Sequence, residues 1–143
     1  ETEGGIGLAH TRWSTCGTVT KENSHPHTSC DGKIVVVHNG IIENFSYLKN
    51  SLLKKGHKFR SETDTEVIAH LIEEYYHRNI EEATLQALKK IQGSYGLGIL
   101  CSEEPNKLIG ARNESPLILG KGNESMMIAS DIPPILDKTK NVI

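Results

Sequence analysis

Lys33-Ile34-Val35-Val36-Val37-His38-Asn39-Gly40-Ile41-Ile42-Glu43-Asn44 is the stretch whose reading decides the fold. The β-branched run from Lys33 to His38 suits a strand buried on both faces, and Asn39-Gly40 ends that strand with strong turn chemistry. The Asn39 amide and the Gly40 backbone N–H can also converge on one developing oxyanion. A tight hairpin turn is the ordinary alternative, since Asn-Gly between apolar stretches is a hairpin signal. Helical spacing resumes within a few residues of Gly40, which weighs against the hairpin.

That helical spacing starts at Asn44, where Phe45, Leu48, Leu52 and Leu53 share one face, and Gly56 after Lys54-Lys55 makes a sound stop. A second helix opens at Ser61-Glu62-Thr63-Asp64-Thr65-Glu66 and runs through Val67, Ile68, Leu71, Ile72 and Tyr75, with Thr63 and Glu66 placed as a capping box. Ile80 to Ile91 makes a third. Beyond it, Ser94 to Ser102, Lys107 to Ala111, Pro116 to Gly120 and Ser125 to Ser130 read as short strands parted by Gly, Asn and Pro. Upstream, Gly5 to His10 reads as a strand and Ser14 to Gly32 as a long polar loop. Strands at both ends with helices between them predict a layered α+β architecture rather than βαβ alternation.

With 143 residues, 36% hydrophobic and 24% charged, the composition is that of one globular domain. A net charge of −2 and a pI near 6.4, with Lys and Arg scattered, offer no cationic field, so nucleic acid is not an expected partner. There is no apolar run of about 18 residues to span a bilayer and no signal-peptide pattern at Glu1-Thr2-Glu3, so no membrane partner is expected and the protein reads as cytoplasmic. Cys16, Cys30 and Cys101 lack the paired spacing of a disulfide framework and read as reduced thiols. The strand-like starts at both ends read as a piece of a longer polypeptide.

Two further groups carry possible chemistry. His10-Thr11-Arg12-Trp13-Ser14-Thr15 places Arg12, a planar fork of donors for a carboxylate, at the end of the first strand, with a surface ion pair as the alternative. Asp64 at a helix start can hold a ligand ammonium, or simply serve the helix N-terminus. A metal reading rests on His10, His25, His27, His38 and Cys16 within the first 40 residues, but only His25 and His27 are closely spaced and the set forms no established zinc motif.

Taken together, His10 to Thr15, His38 to Asn44 and Ser61 to Glu66 resemble, in wording, order and spacing, the class II (N-terminal nucleophile) glutamine amidotransferase domain, in the version carried by the glutamine:fructose-6-phosphate aminotransferase family. The resemblance extends to Asn23-Ser24-His25-Pro26-His27, Gly93-Ser94-Tyr95-Gly96, Ser115-Pro116-Leu117 and Ile128-Ala129-Ser130-Asp131, and so spans essentially the whole chain.

The resemblance implies the four-layer αββα sandwich of N-terminal nucleophile hydrolases, incomplete here, and a glutaminase that passes ammonia to fructose-6-phosphate to make glucosamine-6-phosphate. By that likeness Arg12 grips the α-carboxylate of L-glutamine, Asp64 its α-ammonium, and Thr15 lends a hydroxyl. Asn39 and Gly40 form the oxyanion hole, His25 and His27 match a triplet lining the site region, and Trp13 matches a residue near where ammonia leaves, with a core aromatic as the alternative. Cys16 stands where the family commonly has a histidine. The family nucleophile is an N-terminal cysteine whose own α-amine is the base; Cys16, its nitrogen in a peptide bond, cannot supply that base, so the chain by itself is expected to hold glutamine without cleaving it. A non-catalytic glutamine-binding module is the corresponding alternative. No metal and no cofactor is expected. The implied partners are a sugar-phosphate isomerase domain of the same parent chain and further copies in a homo-oligomer, an exposed sheet edge inviting the association.

Overall fold

The computed structural model describes residues 5–11, 18 and 20–143, so Arg12, Trp13, Thr15 and Cys16 lie outside the described residues. The elements follow in the order β1 (His27–Thr28), β2 (Ile34–Ile42), α1 (Phe45–Lys54), α2 (Glu66–Tyr75), α3 (Ile80–Leu88), β3 (Gly93–Cys101), β4 (Leu108–Asn113), β5 (Ile118–Lys121), β6 (Met126–Ala129) and α4 (Pro133–Leu136). One antiparallel sheet has the order β1-β2-β3-β4, and β5 and β6 form a second. The central pairing sets Ile34 opposite Cys101 and Ile42 opposite Gly93, so the chain returns to β2 only after all three long helices.

Alternation along these strands sorts the two faces of the large sheet. Ile34, Val36, His38 and Ile42 on β2, with Leu97, Ile99 and Cys101 on β3, turn to the helices and are buried. There they meet Val67, Ile68, Leu71 and Ile72 of α2, Leu48 and Leu52 of α1, and Ile80, Ala83 and Ala87 of α3. Burying each aliphatic side chain of this size stabilises the fold by about 1.5–3 kcal/mol.

The opposite face carries Val37 and Asn39 with Gly96, Gly98 and Gly110. Lacking side chains, these glycines let the second sheet come close: a Cβ on Gly98 would lie 2.9 Å from Leu8 Cδ2 and 3.6 Å from Ile128 Cδ1, and one on Gly110 3.5 Å from Ile128 Cδ1. Behind that sheet, Ile135 of α4 packs against Gly120 of β5. The layers are therefore helices, sheet, sheet, helix, the second half showing, among the described residues, the strands β5 and β6, a bridge from Gly120 to Val142 and one helical turn. This is the expected α+β αββα arrangement in incomplete form.

Three local expectations need correction. Asn39-Gly40 does not end β2: the strand runs through it to Ile42, because Gly40 adopts φ 130° inside the ladder, where any Cβ would collide with the Ser94 carbonyl. The segment from Gly5 to His10 is not a strand, since it makes no ladder; it contributes packing instead, through Leu8. Thr63 and Glu66 do not form a capping box. The Glu66 carboxylate reaches back, but to the N–H groups of Arg60 (2.8 Å) and Ser61 (2.7 Å), while the Thr63 hydroxyl meets His27 Nε2 at 2.9 Å. The helix that follows starts only at Glu66.

Candidate functional site

The site is built on the outer edge of β2. Ser102 N–H donates to Lys33 O and Glu43 N–H to Gln92 O, both at 2.9 Å, so the odd-numbered residues of β2 exchange ladder bonds with β3. Even-numbered residues point their N–H groups the other way. His38 N–H goes to His25 Nδ1 at 3.4 Å, and Ile42 N–H goes to Asp64 Oδ2 at 2.7 Å. Gly40 N–H emerges from the same edge between these two contacts.

Asn39 is exposed on the face toward the second sheet, and its side chain is oriented by His10: His10 Nε2 lies 2.7 Å from Asn39 Oδ1. With Oδ1 accepting from the ring N–H, the amide turns its own donor, Nδ2, outward. His10 and Asn39 stand on the wall of a 210 Å³ cavity bounded also by Gly7 to Ala9, Gly96 and Ile128. Asp64 does not line that cavity; it joins the site from the helix side, along the edge.

Beneath Gly40, buried His38 is fully committed. Its Nε2–H donates to Ser94 O at 3.3 Å, which leaves Nδ1 to accept from the Thr65 hydroxyl at 2.9 Å. Burial pushes its pKa down; Asp64 and the Ser94 carbonyl oppose that, while His10 adds to it. The neutral ring is a brace that fixes the spacing of β2, β3 and the Asp64 loop.

That loop is held from behind by a chain of buried polar groups. His27 meets Thr63 Oγ1, Thr63 Oγ1 meets Ser61 Oγ at 3.0 Å, and Ser61 Oγ donates to Glu66 Oε2 at 2.6 Å. Burial by itself would raise the Glu66 pKa, but the donors from His70, Ser61 and Arg60 outweigh it and hold the carboxyl at about 2. Asn23 adds a clamp, its Oδ1 accepting from Glu62 N–H at 2.9 Å.

Of the residues picked out in the sequence, the fold gathers Asn39, Gly40 and Asp64 along one edge and sets His27, 5% exposed, one layer behind under Thr63. Arg12, Trp13, Thr15 and Cys16 are outside the described residues. Two supporting residues had no role assigned from the sequence. Asn44 clamps the α3–β3 connection, its Nδ2 donating to Lys90 O at 2.9 Å and its Oδ1 accepting from Gln92 N–H at 3.0 Å. The other is Thr65. The one available signal was their place inside the quoted motifs.

A fold of helices, sheet, sheet and helix with an Asn-Gly edge beside a buried aspartate defines a glutamine amidotransferase domain, and residues 10–137 match the model of that family: the chain belongs to it. More particularly, it is similar to the glutamine–fructose-6-phosphate aminotransferases (isomerizing) of Thermococcus kodakarensis, at 57% identity over 100% of this chain and 24% of that protein, and of Clostridium perfringens, at 51% identity over 98% and 23%. The chain thus spans about a quarter of the length of these curated relatives. Among solved structures it is similar to a glutamine phosphoribosylpyrophosphate amidotransferase from B. subtilis complexed with ADP and GMP, with a TM-score of 0.75 and 26% identity over 91% of this chain and 29% of that one.

Proposed function

We propose that residues 1–143 are part of the glutaminase domain of an isomerising glutamine:fructose-6-phosphate aminotransferase, in which ammonia from L-glutamine is passed to fructose-6-phosphate to give glucosamine-6-phosphate. The observation that carries this reading is the β2 edge: an outward Gly40 N–H, an adjacent Asn39 amide held by His10, and Asp64 two residues along. In the proposed mechanism both donors face the oxygen of the glutamine side-chain amide as it becomes an oxyanion, and Asp64 with Arg12 grips the amino-acid end. Thr15 lends a hydroxyl, Trp13 and Cys16 border the pocket, and His27 supports it from one layer behind through Thr63. Cys16, Cys30 and Cys101 all have their nitrogens in peptide bonds, so none is offered as the self-activated nucleophile.

The partners in this reading are the sugar-phosphate isomerase domain of the same polypeptide and further copies in a homo-oligomer, acting in the cytoplasm. No helix among the described residues is long and apolar enough to cross a membrane, which fits that placement. The names of the relatives at 51–57% identity support the choice of acceptor. Calorimetric titration with L-glutamine tests the reading: the 143-residue protein is expected to bind glutamine without releasing ammonia, and Asp64→Ala to abolish the binding. Equal affinity in the Asp64→Ala protein would overturn the assigned grip.

A further inference from the structure

At the other end of β2 from the Asn39-Gly40 edge, four side chains from three separate segments converge. Cys30 comes from the turn before β2, His57 from the connection between α1 and α2, and His70 and Glu73 from adjacent turns of α2. Cys30 Sγ lies 3.6 Å from His57 Nδ1 and 3.5 Å from His70 Nδ1, and the two Nδ1 atoms are 3.3 Å apart. Glu73 Oε2 completes the group, 3.0 Å from His57 Nδ1 and 3.2 Å from His70 Nδ1.

The surroundings decide what these atoms face each other for. His57 Nε2 is 2.9 Å from Glu74 Oε1, and His70 Nε2 faces Glu66 Oε1 at 3.5 Å. A carboxylate only accepts, so the hydrogen bond to Glu74 places a proton on His57 Nε2 and frees the His57 Nδ1 lone pair to face inward, while His70 Nε2 is buried without a hydrogen-bond partner among the described residues. Two imidazole nitrogens, a carboxylate oxygen and a sulfur thus converge on one point, where a single bound cation would be held by all four at once.

We propose that Cys30, His57, His70 and Glu73 form a tetrahedral structural zinc site. One thiolate, two imidazoles and one carboxylate make a four-protein-ligand donor set suited to zinc, with no position left open for catalysis. Bond lengths of about 2.0–2.1 Å to nitrogen and about 2.3 Å to sulfur give tetrahedral edges of about 3.3 Å between nitrogens and about 3.6 Å between nitrogen and sulfur. The corresponding separations here are 3.3 Å, and 3.5 and 3.6 Å.

The outer contacts are those such a site needs. Glu74 orients the His57 imidazole from behind, and Glu66 Oε1 is a carboxylate oxygen 3.5 Å from His70 Nε2. Lys58 N–H points at Cys30 Sγ from 3.4 Å, and Glu73 is anchored by Cys30 N–H at 3.2 Å and Asp31 N–H at 3.3 Å. A 160 Å³ surface recess lined by Cys30, Lys55, Gly56, His57 and Glu73 gives the ion its way in. Cys30 and His57 stand 27 positions apart and His57 and His70 13, so the sequence shows no compact ligand motif. Bound there, zinc would tie the β1–β2 turn and the α1–α2 connection to α2.

Elemental analysis of the untagged protein, stripped with a chelator and reconstituted with zinc chloride, tests this. About one zinc per chain is expected, with affinity against a chromophoric chelator falling about 10–100-fold or more in Cys30→Ser and in His57→Gln. His25→Gln, in the separate His10–His25–His27 group, should keep the metal. Absence of stoichiometric zinc, or loss of it only in His25→Gln, would overturn the proposal. Should either ligand variant fail to fold, the cobalt-substituted wild-type protein decides: a thiolate-to-cobalt charge-transfer band with intense tetrahedral d–d bands supports the site, and octahedral weak bands refute it.

Discussion

Asn39 shows how a side chain with no special chemistry of its own is oriented by its neighbours for the donor role proposed for it. His10 takes the amide oxygen, so the amide nitrogen is turned outward as a donor. In a polypeptide that carries this domain with its nucleophile, Asn39→Ala is expected to lower the glutaminase kcat about 10²–10³-fold, equivalent to about 2.7–4 kcal/mol of lost transition-state stabilisation, with KM little changed. Steady-state ammonia release measures it. His38 gives a pH signature. Its folded pKa lies below that of the unfolded chain, so the unfolded state binds more protons once the pH falls below the ordinary histidine value of about 6.5. Stability should therefore drop on acidification from neutral pH, this group adding at most about 1.4 kcal/mol per pH unit. Urea midpoints from pH 7 to 5 should fall less steeply in His38→Gln than in the wild type.

At the scale of elements, the approach to α2 is organised by one buried carboxylate rather than by a terminal cap. Glu66 accepts from Arg60 N–H, Ser61 N–H and the Ser61 hydroxyl, and so fixes the loop that presents Asp64. Removing it leaves buried donors without an acceptor, so Glu66→Ala is expected to cost about 3 kcal/mol in chemical denaturation and to weaken glutamine binding as the Asp64 loop loosens. Glu66→Gln, which keeps an acceptor, should cost less. Glu66 standing three residues after Thr63 was legible as helix-start chemistry, but the partners were not. Nothing local says whether a glutamate reaches back to its own helix or across to the strand-side loop before it.

For the whole molecule, the distance between the two sheets is set by Gly96, Gly98 and Gly110 on the facing side of the large sheet. Gly98→Val places new atoms against Leu8 and Val37, whose side chains already stand 2.9 and 3.0 Å from an ideal Cβ, and should destabilise the fold by about 1–3 kcal/mol. Thermal melting reads the shift directly. The three long helices, β2, and the four strands after α3 were all legible as periodicity and punctuation, because each is specified by residues close in the chain. The expectation of αββα layering and the roles proposed for Asn39, Gly40 and Asp64 came from motif wording alone. The tertiary structure decided what depends on residues far apart in sequence. It carried β2 through Asn39-Gly40, because Gly40 can hold a positive φ against Ser94, and it denied a ladder to Gly5 to His10. It also gathered Cys30, His57, His70 and Glu73, which share no motif and meet only when the α1–α2 connection folds back over the β1–β2 turn.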